Sequence, residues 1–128
     1  MSYKIEYNHK GKISGRFELP ASKSISNRVL IINALSGSDK SVANLAKCDD
    51  TDVMVKALTS DSHLVDIGAA GTSMRFLTAY LSIKPGEWII TGSQRMKERP
   101  IQILVDALRS IGADIEYAEN EGFPPLKI

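Results

Sequence analysis

Apolar and polar residues alternate over Tyr3–Tyr7 and again over Lys12–Leu19, the two-residue period of a half-buried strand, so each segment predicts a short strand. Pro20 ends that pairing. From Ala21 onward the period lengthens. Ile25, Val29, Ile32 and Leu35 recur at helical spacing and Gly37 supplies a stop, which predicts a first helix. Lys40–Leu45 predicts a strand. Asp49–Ser60 predicts an amphipathic helix, acidic in its first turn, with Val53, Met54, Ala57 and Leu58 on one side. His63–Ile67 predicts a short strand, and Gly71–Ser82 a helix with Met74, Leu77 and Leu81 as its apolar stripe. Glu87–Thr91 predicts a strand entered through Pro85 and Gly86. Pro100–Ile111 is the clearest helix: proline at its first position, then Ile101, Leu104, Val105, Leu108 and Ile111, closed by Gly112. Asp114–Tyr117 predicts a strand, and Leu126–Ile128 the start of another after Pro124 and Pro125.

A faint repeat runs through this order. Val55-x-Ala57-Leu58-x-Ser60 returns as Val105-x-Ala107-Leu108-x-Ser110, each time ending a helix that leads to a strand, and Ala34-Leu35-Ser36 ends the first helix in the same way. Helix tails often look alike, yet a helix–strand unit used several times is the simplest reading. Strands alternating with helices, with hairpin-like closures, put the chain in the α/β or α+β class.

Composition narrows the function classes. The chain has 128 residues, one domain's worth, with 43% hydrophobic and 24% charged residues. Sixteen basic against fifteen acidic residues leave a net charge of +1, which gives no electrostatic case for nucleic acid or an anionic membrane. No apolar run approaches the roughly 18 residues of a membrane span, and MSYKIEYNHKGK lacks the apolar core of a signal peptide. Cys48 has no companion cysteine and no asparagine begins a glycosylation sequon, so a reducing cytoplasm is the expected compartment.

Three segments bring basic or hydroxyl groups to the start of a helix, where free backbone N–H groups and the helix dipole favour phosphate or carboxylate. In Pro20–Arg28, Ser22 or Ser24 can cap the helix, Lys23 lies at its mouth, and Ser24 and Arg28 share a face four residues apart. That convergence suits a phosphorylated small molecule, and it equally suits a capped helix with solvated charges. In Gly68–Arg75, glycine permits close backbone approach and Thr72 and Ser73 offer hydroxyls, without the spacing of a P-loop or a dinucleotide fingerprint. In Ser93–Pro100, three cations precede a proline-started helix, and Arg99 beside Pro100 is placed to grip an anion bidentately.

Other chemistry finds less support. Cys48, Asp49, Asp50 and Asp52 could suggest a metal, but His9 and His63 are distant and the helix dipole explains the acids. Cys48 reads as an inert thiol, Trp88 as a core or sheet-packing residue, and Phe123-Pro124-Pro125 as a turn.

Taken together, the three loops resemble one family. Leu19-Pro20-Ala21-Ser22-Lys23-Ser24-Ile25-Ser26-Asn27-Arg28, then Ala70-Gly71-Thr72-Ser73-Met74-Arg75, then Arg95-Met96-Lys97-Glu98-Arg99-Pro100 are similar, in order, to the signatures of the 5-enolpyruvylshikimate-3-phosphate (EPSP) synthases. Phe123-Pro124-Pro125-Leu126 matches a further stretch, and the related UDP-N-acetylglucosamine enolpyruvyl transferases fit these loops less well. The resemblance implies transfer of the enolpyruvyl group of phosphoenolpyruvate to the 5-hydroxyl of shikimate 3-phosphate, a step toward aromatic amino acids that needs no metal or organic cofactor. It implies that Lys23 is catalytic and contacts both substrates, that Ser24 and Arg28 hold shikimate 3-phosphate, and that Gly71 and Arg99 hold phosphoenolpyruvate where glyphosate competes.

Two departures qualify what is carried over. Ala69 stands where the family usually has asparagine. Family members are also roughly three times longer and fold as two globular domains of repeated βαβαββ units. The chain is therefore expected to be a fragment, with about one unit plus part of the next. Residues 1–20 would be opening strands that belong with the second domain, and 21–128 an incomplete first domain. Such a piece is expected to be inactive and prone to self-association through uncovered apolar faces. A stand-alone module for phosphorylated small molecules and a purely structural domain are the alternatives.

Overall fold

The computed structural model describes residues 2–6, 11–12 and 14–128. Among these described residues nine elements follow in order: α1 (Lys23–Leu35), α2 (Asp49–Thr59), β1 (Leu64–Asp66), α3 (Gly71–Leu81), β2 (Ile89–Thr91), α4 (Gln94–Lys97), α5 (Gln102–Ser110), β3 (Glu116–Tyr117) and β4 (Leu126–Lys127). With the single-turn α4 set aside, everything from Leu64 onward reads β-α-β-α-β-β.

The sheet order is β1-β2-β4-β3. The pair β1–β2 is parallel, with α3 in the crossover between them, as a parallel pair requires. Strand β4 runs antiparallel to both β2 and β3. Because side chains alternate across a sheet, this register sorts them by face. Val65, Ile90 and Leu126 form one row and join Met54, Ile67, Met74, Leu77 and Leu81 in a single core. Leu64, Ile89, Lys127 and Glu116 form the opposite row, and all four are exposed. That row floors an open groove where the His63 ring stacks on buried Trp88 with centroids 4.6 Å apart.

The helical stripes of α2 and α3 face the core as their spacing predicts, with Met54, Met74, Leu77 and Leu81 all buried. The first helix does not behave so. Ile25, Val29, Ile32 and Leu35 point outward, and Ser26, Asn27 and Leu30 are buried instead. Hydrogen bonds explain the reversal. Ser26 Oγ accepts from the Ala46 amide at 2.9 Å, and Asn27 Oδ1 accepts from Thr51 Oγ1 at 3.1 Å. Buried polar groups bonded across the interface in this way can occupy a place that apolar counting assigns to isoleucine, although Asn27 Nδ2 is buried without a partner.

Three expected strands are absent among the described residues. Lys40–Leu45 is irregular: Asn44 is left-handed at φ 53°, a conformation asparagine tolerates, and Asn33 Nδ2 donates to the Lys40 carbonyl. No described residue of Tyr3–Tyr7 or Lys12–Leu19 belongs to a strand, although Tyr7 and Ile13 lie outside the described residues. Tyr3, Ile5, Phe17 and Leu19 are exposed. A strand needs a neighbour for its backbone groups, and the sheet is built from later segments. The helix expected over Pro100–Ile111 begins at Gln102, and Ile111 is exposed. Strand bounds shrink as well: His63 and Ile67, Glu87 and Trp88, Asp114 and Ile115, and Ile128 fall outside theirs.

Tyr117 shows a titration tied to burial. Desolvation, then the nearby Asp106 and Glu121 carboxylates, push its phenol above the ordinary value near 10, against a downward pull from Arg109. The folded chain thus holds that proton more tightly than the unfolded chain. Its contribution to stability is full below about pH 10 and is lost as pH rises through the folded value. Tyr117→Phe is expected to flatten the alkaline limb of stability against pH, measured by urea unfolding. Tyr117 Oη is buried without a hydrogen-bond partner, so the same change should cost under about 0.5 kcal/mol at pH 7. An unaltered alkaline limb would discount this tyrosine.

Candidate functional site

The three anion-suited segments meet around the starts of α1, α2 and α3. Ser22 caps α1, its side chain accepting from the Ile25 amide at 3.4 Å, which makes Lys23 the first helical residue. One turn on, Arg28 Nη1 donates to the Ser24 carbonyl at 2.9 Å, so the pair shares a face as its spacing predicts. The Arg28 guanidinium also lies over the Phe76 ring of α3, 5.6 Å from its centroid. Lys23, Ser24 and Arg28 are all exposed and can take a ligand.

The second segment turns from β1 into α3. Gly68 adopts φ +54°, its amide donating to Asp66 Oδ1 at 2.9 Å, and this reverses the chain within a few residues. The helix then starts with Ala70 at the cap position and no side-chain cap. With alanine at both 69 and 70, no side chain there can accept from the first-turn amides of α3. Those donors and the dipole are left for an incoming anion.

The third segment folds as the short helix α4, which the sequence reading treats as a charged loop. Met96 is buried and anchors it. Ser93 N donates to the Gly68 carbonyl at 2.9 Å, joining the second and third segments at their roots. Of the three cations, Lys97 turns away to Glu119 at 2.6 Å. Arg99 comes back over Gly71. A Cβ built on Gly71 would lie 2.6 Å from Arg99 Nη1, so the guanidinium rests directly on that glycine. A Cβ at this position would push the guanidinium, the flexible end of its side chain, off the glycine.

Lys23 reaches the same region through α2. Its Nζ lies 3.5 Å from Asp50 Oδ1, and the Asp50 carbonyl accepts from Ser73 Oγ at 3.0 Å. The structure thus brings Gly71 and Arg99 into contact, links Lys23 to the start of α3, and places Ser24 and Arg28 together on α1. Asp50, Thr51 and Asn27 join these parts and are not site residues in the sequence reading, and Ser73, whose hydroxyl that reading offers to a ligand, is spent on the Asp50 carbonyl. Aspartates in a first helical turn have a sufficient cause in the dipole, and nothing local distinguishes Asp50 from Asp49 or Asp52.

Among the described residues, no three His, Cys, Asp or Glu side chains gather as a metal ion would require. No helix of these residues is long and apolar enough to cross a membrane. Cys48 is a free, half-buried thiol with its Sγ 3.4 Å from Thr51 Oγ1. The arrangement offers exposed guanidinium and ammonium groups, hydroxyls and uncapped amides, the donors that bind phosphate and carboxylate.

The family model for EPSP synthase (3-phosphoshikimate 1-carboxyvinyltransferase) matches residues 7–60 and 59–128. A 3-phosphoshikimate 1-carboxyvinyltransferase of Bacteroides fragilis (strain YCH46) is 64% identical over 117 residues, covering 91% of this chain and 28% of the relative. The enzyme of that name from Vibrio atlanticus (strain LGP32) is 45% identical over 143 residues, covering 91% and 34%. The chain thus spans about a third of the length of these relatives. In fold it is similar to the EPSP synthase structure from Acinetobacter baumannii, with a TM-score of 0.74 at 23% identity over 89% of this chain and 32% of that one. Three signatures in order, a βαβαββ unit and a family match running from residue 7 to the last residue lead to one conclusion: the chain belongs to the EPSP synthase family.

Proposed function

We propose that this chain supplies part of the site at which the enolpyruvyl group of phosphoenolpyruvate passes to the 5-hydroxyl of shikimate 3-phosphate. The observation that carries the reading is Arg99 lying on Gly71 beside the uncapped start of α3. In it, Arg99 and the Gly71 backbone receive phosphoenolpyruvate, where glyphosate would compete, and Ser24 and Arg28 receive shikimate 3-phosphate. Lys23, the catalytic residue of the set, faces both. Donors fixed before the substrates arrive neutralise negative charge without reorganising, which is the main service an addition–elimination on two polyanions needs.

The chain spans about a third of its relatives' length, and the reading is that these residues bind without turning over. Residues 21–128 would be an incomplete first domain, and residues 1–20 would pack with a second. The exposed row Ile25, Val29, Ile32 and Leu35 supports self-association of the isolated chain. The unpaired Cys48 supports a cytoplasmic home.

An NMR titration of the labelled chain tests this. Shikimate 3-phosphate should shift Lys23, Ser24 and Arg28, and phosphoenolpyruvate should shift Lys23, Gly71 and Arg99. Arg99→Ala should weaken phosphoenolpyruvate by about 2 kcal/mol, roughly 30-fold, the contribution of charge-assisted hydrogen bonds, and leave shikimate 3-phosphate unaffected. Lines that broaden with protein concentration would report self-association. A well-dispersed spectrum with no shift at these residues would count against the assignment.

A further inference from the structure

We propose that Asp50 is the positioning residue of this site: its carboxylate holds the Lys23 ammonium at the mouth of α1, and its carbonyl, bound by Ser73, fixes that lysine relative to α3. The contacts are Lys23 Nζ to Asp50 Oδ1 at 3.5 Å and Ser73 Oγ to the Asp50 carbonyl at 3.0 Å. Three aspartates open α2, and all of them suit the helix dipole. Asp49 and Asp52 are exposed, whereas the Asp50 side chain is 24% exposed and faces a lysine.

The turn around Asp50 is held on two sides. The next residue, Thr51, is 1% exposed and donates to Asn27 Oδ1 on α1, one turn beyond Lys23. On the other side Ser73, with no exposed surface, grips the Asp50 carbonyl from α3, two residues after Gly71. The backbone carrying the carboxylate is therefore fixed relative to both ligand loops. Lys23 is a flexible side chain, half exposed, on a helix's first residue. An ion pair this open adds little to stability. Its effect is to choose one Lys23 conformation among many, and ordering a lysine in advance removes a cost otherwise met on binding.

The inference deepens the proposed function and rests on it for the identity of the ligand, but part of its test needs no ligand. In the full 128-residue chain with labelled lysine, a held Lys23 shows two distinct ε-methylene proton shifts, and a mobile one shows them merged. Asp50→Asn should merge them and Asp50→Glu should restore the separation. Ser73→Ala keeps both charges and should narrow the separation by a smaller amount. It also carries the test if Asp50→Asn fails to fold.

Phosphoenolpyruvate binding gives the second readout. Removing a carboxylate beside an anion site would, by charge alone, tighten binding. Lost positioning weakens it, and we expect Asp50→Asn to bind phosphoenolpyruvate about fivefold more weakly, the upper end of what an open ion pair contributes. Asp50→Glu should stay near the parent value. Unchanged Lys23 signals in folded Asp50→Asn, or binding that is unchanged or tighter, overturn the proposal, and unchanged Lys23 signals in Ser73→Ala overturn the link to α3. If the parent chain binds no phosphoenolpyruvate, it is the proposed function that fails for this chain, and the lysine signals still decide the positioning.

Discussion

Gly92→Ala should destabilise the chain by about 3 kcal/mol and lower its melting temperature by roughly 10 °C, in a residue that carries no chemistry. The cause is space. A Cβ at Gly92 would lie 2.5 Å from the Gly68 carbonyl oxygen and 3.0 Å from both Cβ and Cγ of Met96. The first obstacle is backbone and cannot rotate away. The second belongs to a side chain that is 2% exposed and anchors α4. Moving the Gly68 carbonyl also loosens the bond it receives from Ser93 N at 2.9 Å, worth about 1 kcal/mol. Because that bond joins the second and third anion-suited segments, the damage should spread to the candidate site, with amide shifts at Gly68, Gly71 and Ser93. A thermal melt within about 2 °C of the parent would mean that the two segments are less tightly joined than the geometry requires.

Ile90→Ala should cost about 4 kcal/mol. Ile90 has no exposed surface, and its backbone pairs with Val65 on one side and Leu126 on the other. The cavity it leaves would be walled by strands on both flanks, which cannot both close in, so the cost falls toward the upper part of the range for such truncations. Ile89→Ala is the internal comparison. One residue earlier on the same strand, Ile89 is 41% exposed on the uncovered face, and its truncation should cost under about 1.5 kcal/mol. Urea unfolding of the two variants reads the difference directly. Equal losses would show that the second face is covered in solution.

Most of the helices were legible in the sequence because their apolar spacing matched what they bury. Met54, Met74, Leu77, Leu81 and Val105 are all core residues. The reading failed where burial was decided by hydrogen bonds. Ser26 and Asn27 turn inward because Ala46 and Thr51 meet them from segments some 20 residues later, a pairing no local pattern contains. Asn44 broke a plausible strand by adopting a left-handed conformation. At the site, motif order singled out Gly71 and Arg99 from segments nearly thirty residues apart, and the structure places them in contact. The connection through Asp50 and Ser73 was invisible because it spans three elements, and each residue has an adequate local explanation.

The position of β4 has a consequence for synthesis. It lies between β2 and β3, yet both of its neighbours are made before it. Until Leu126 and Lys127 emerge, the parallel pair β1–β2 has nothing to join on that side and β3 has no partner in the sheet. The helices and loops that carry Lys23, Gly71 and Arg99 are translated first, but Ile90 stays open to solvent along one edge. A nascent chain stalled near residue 120 would therefore present an unpaired β2 edge, the form most prone to wrong pairing on a crowded ribosome.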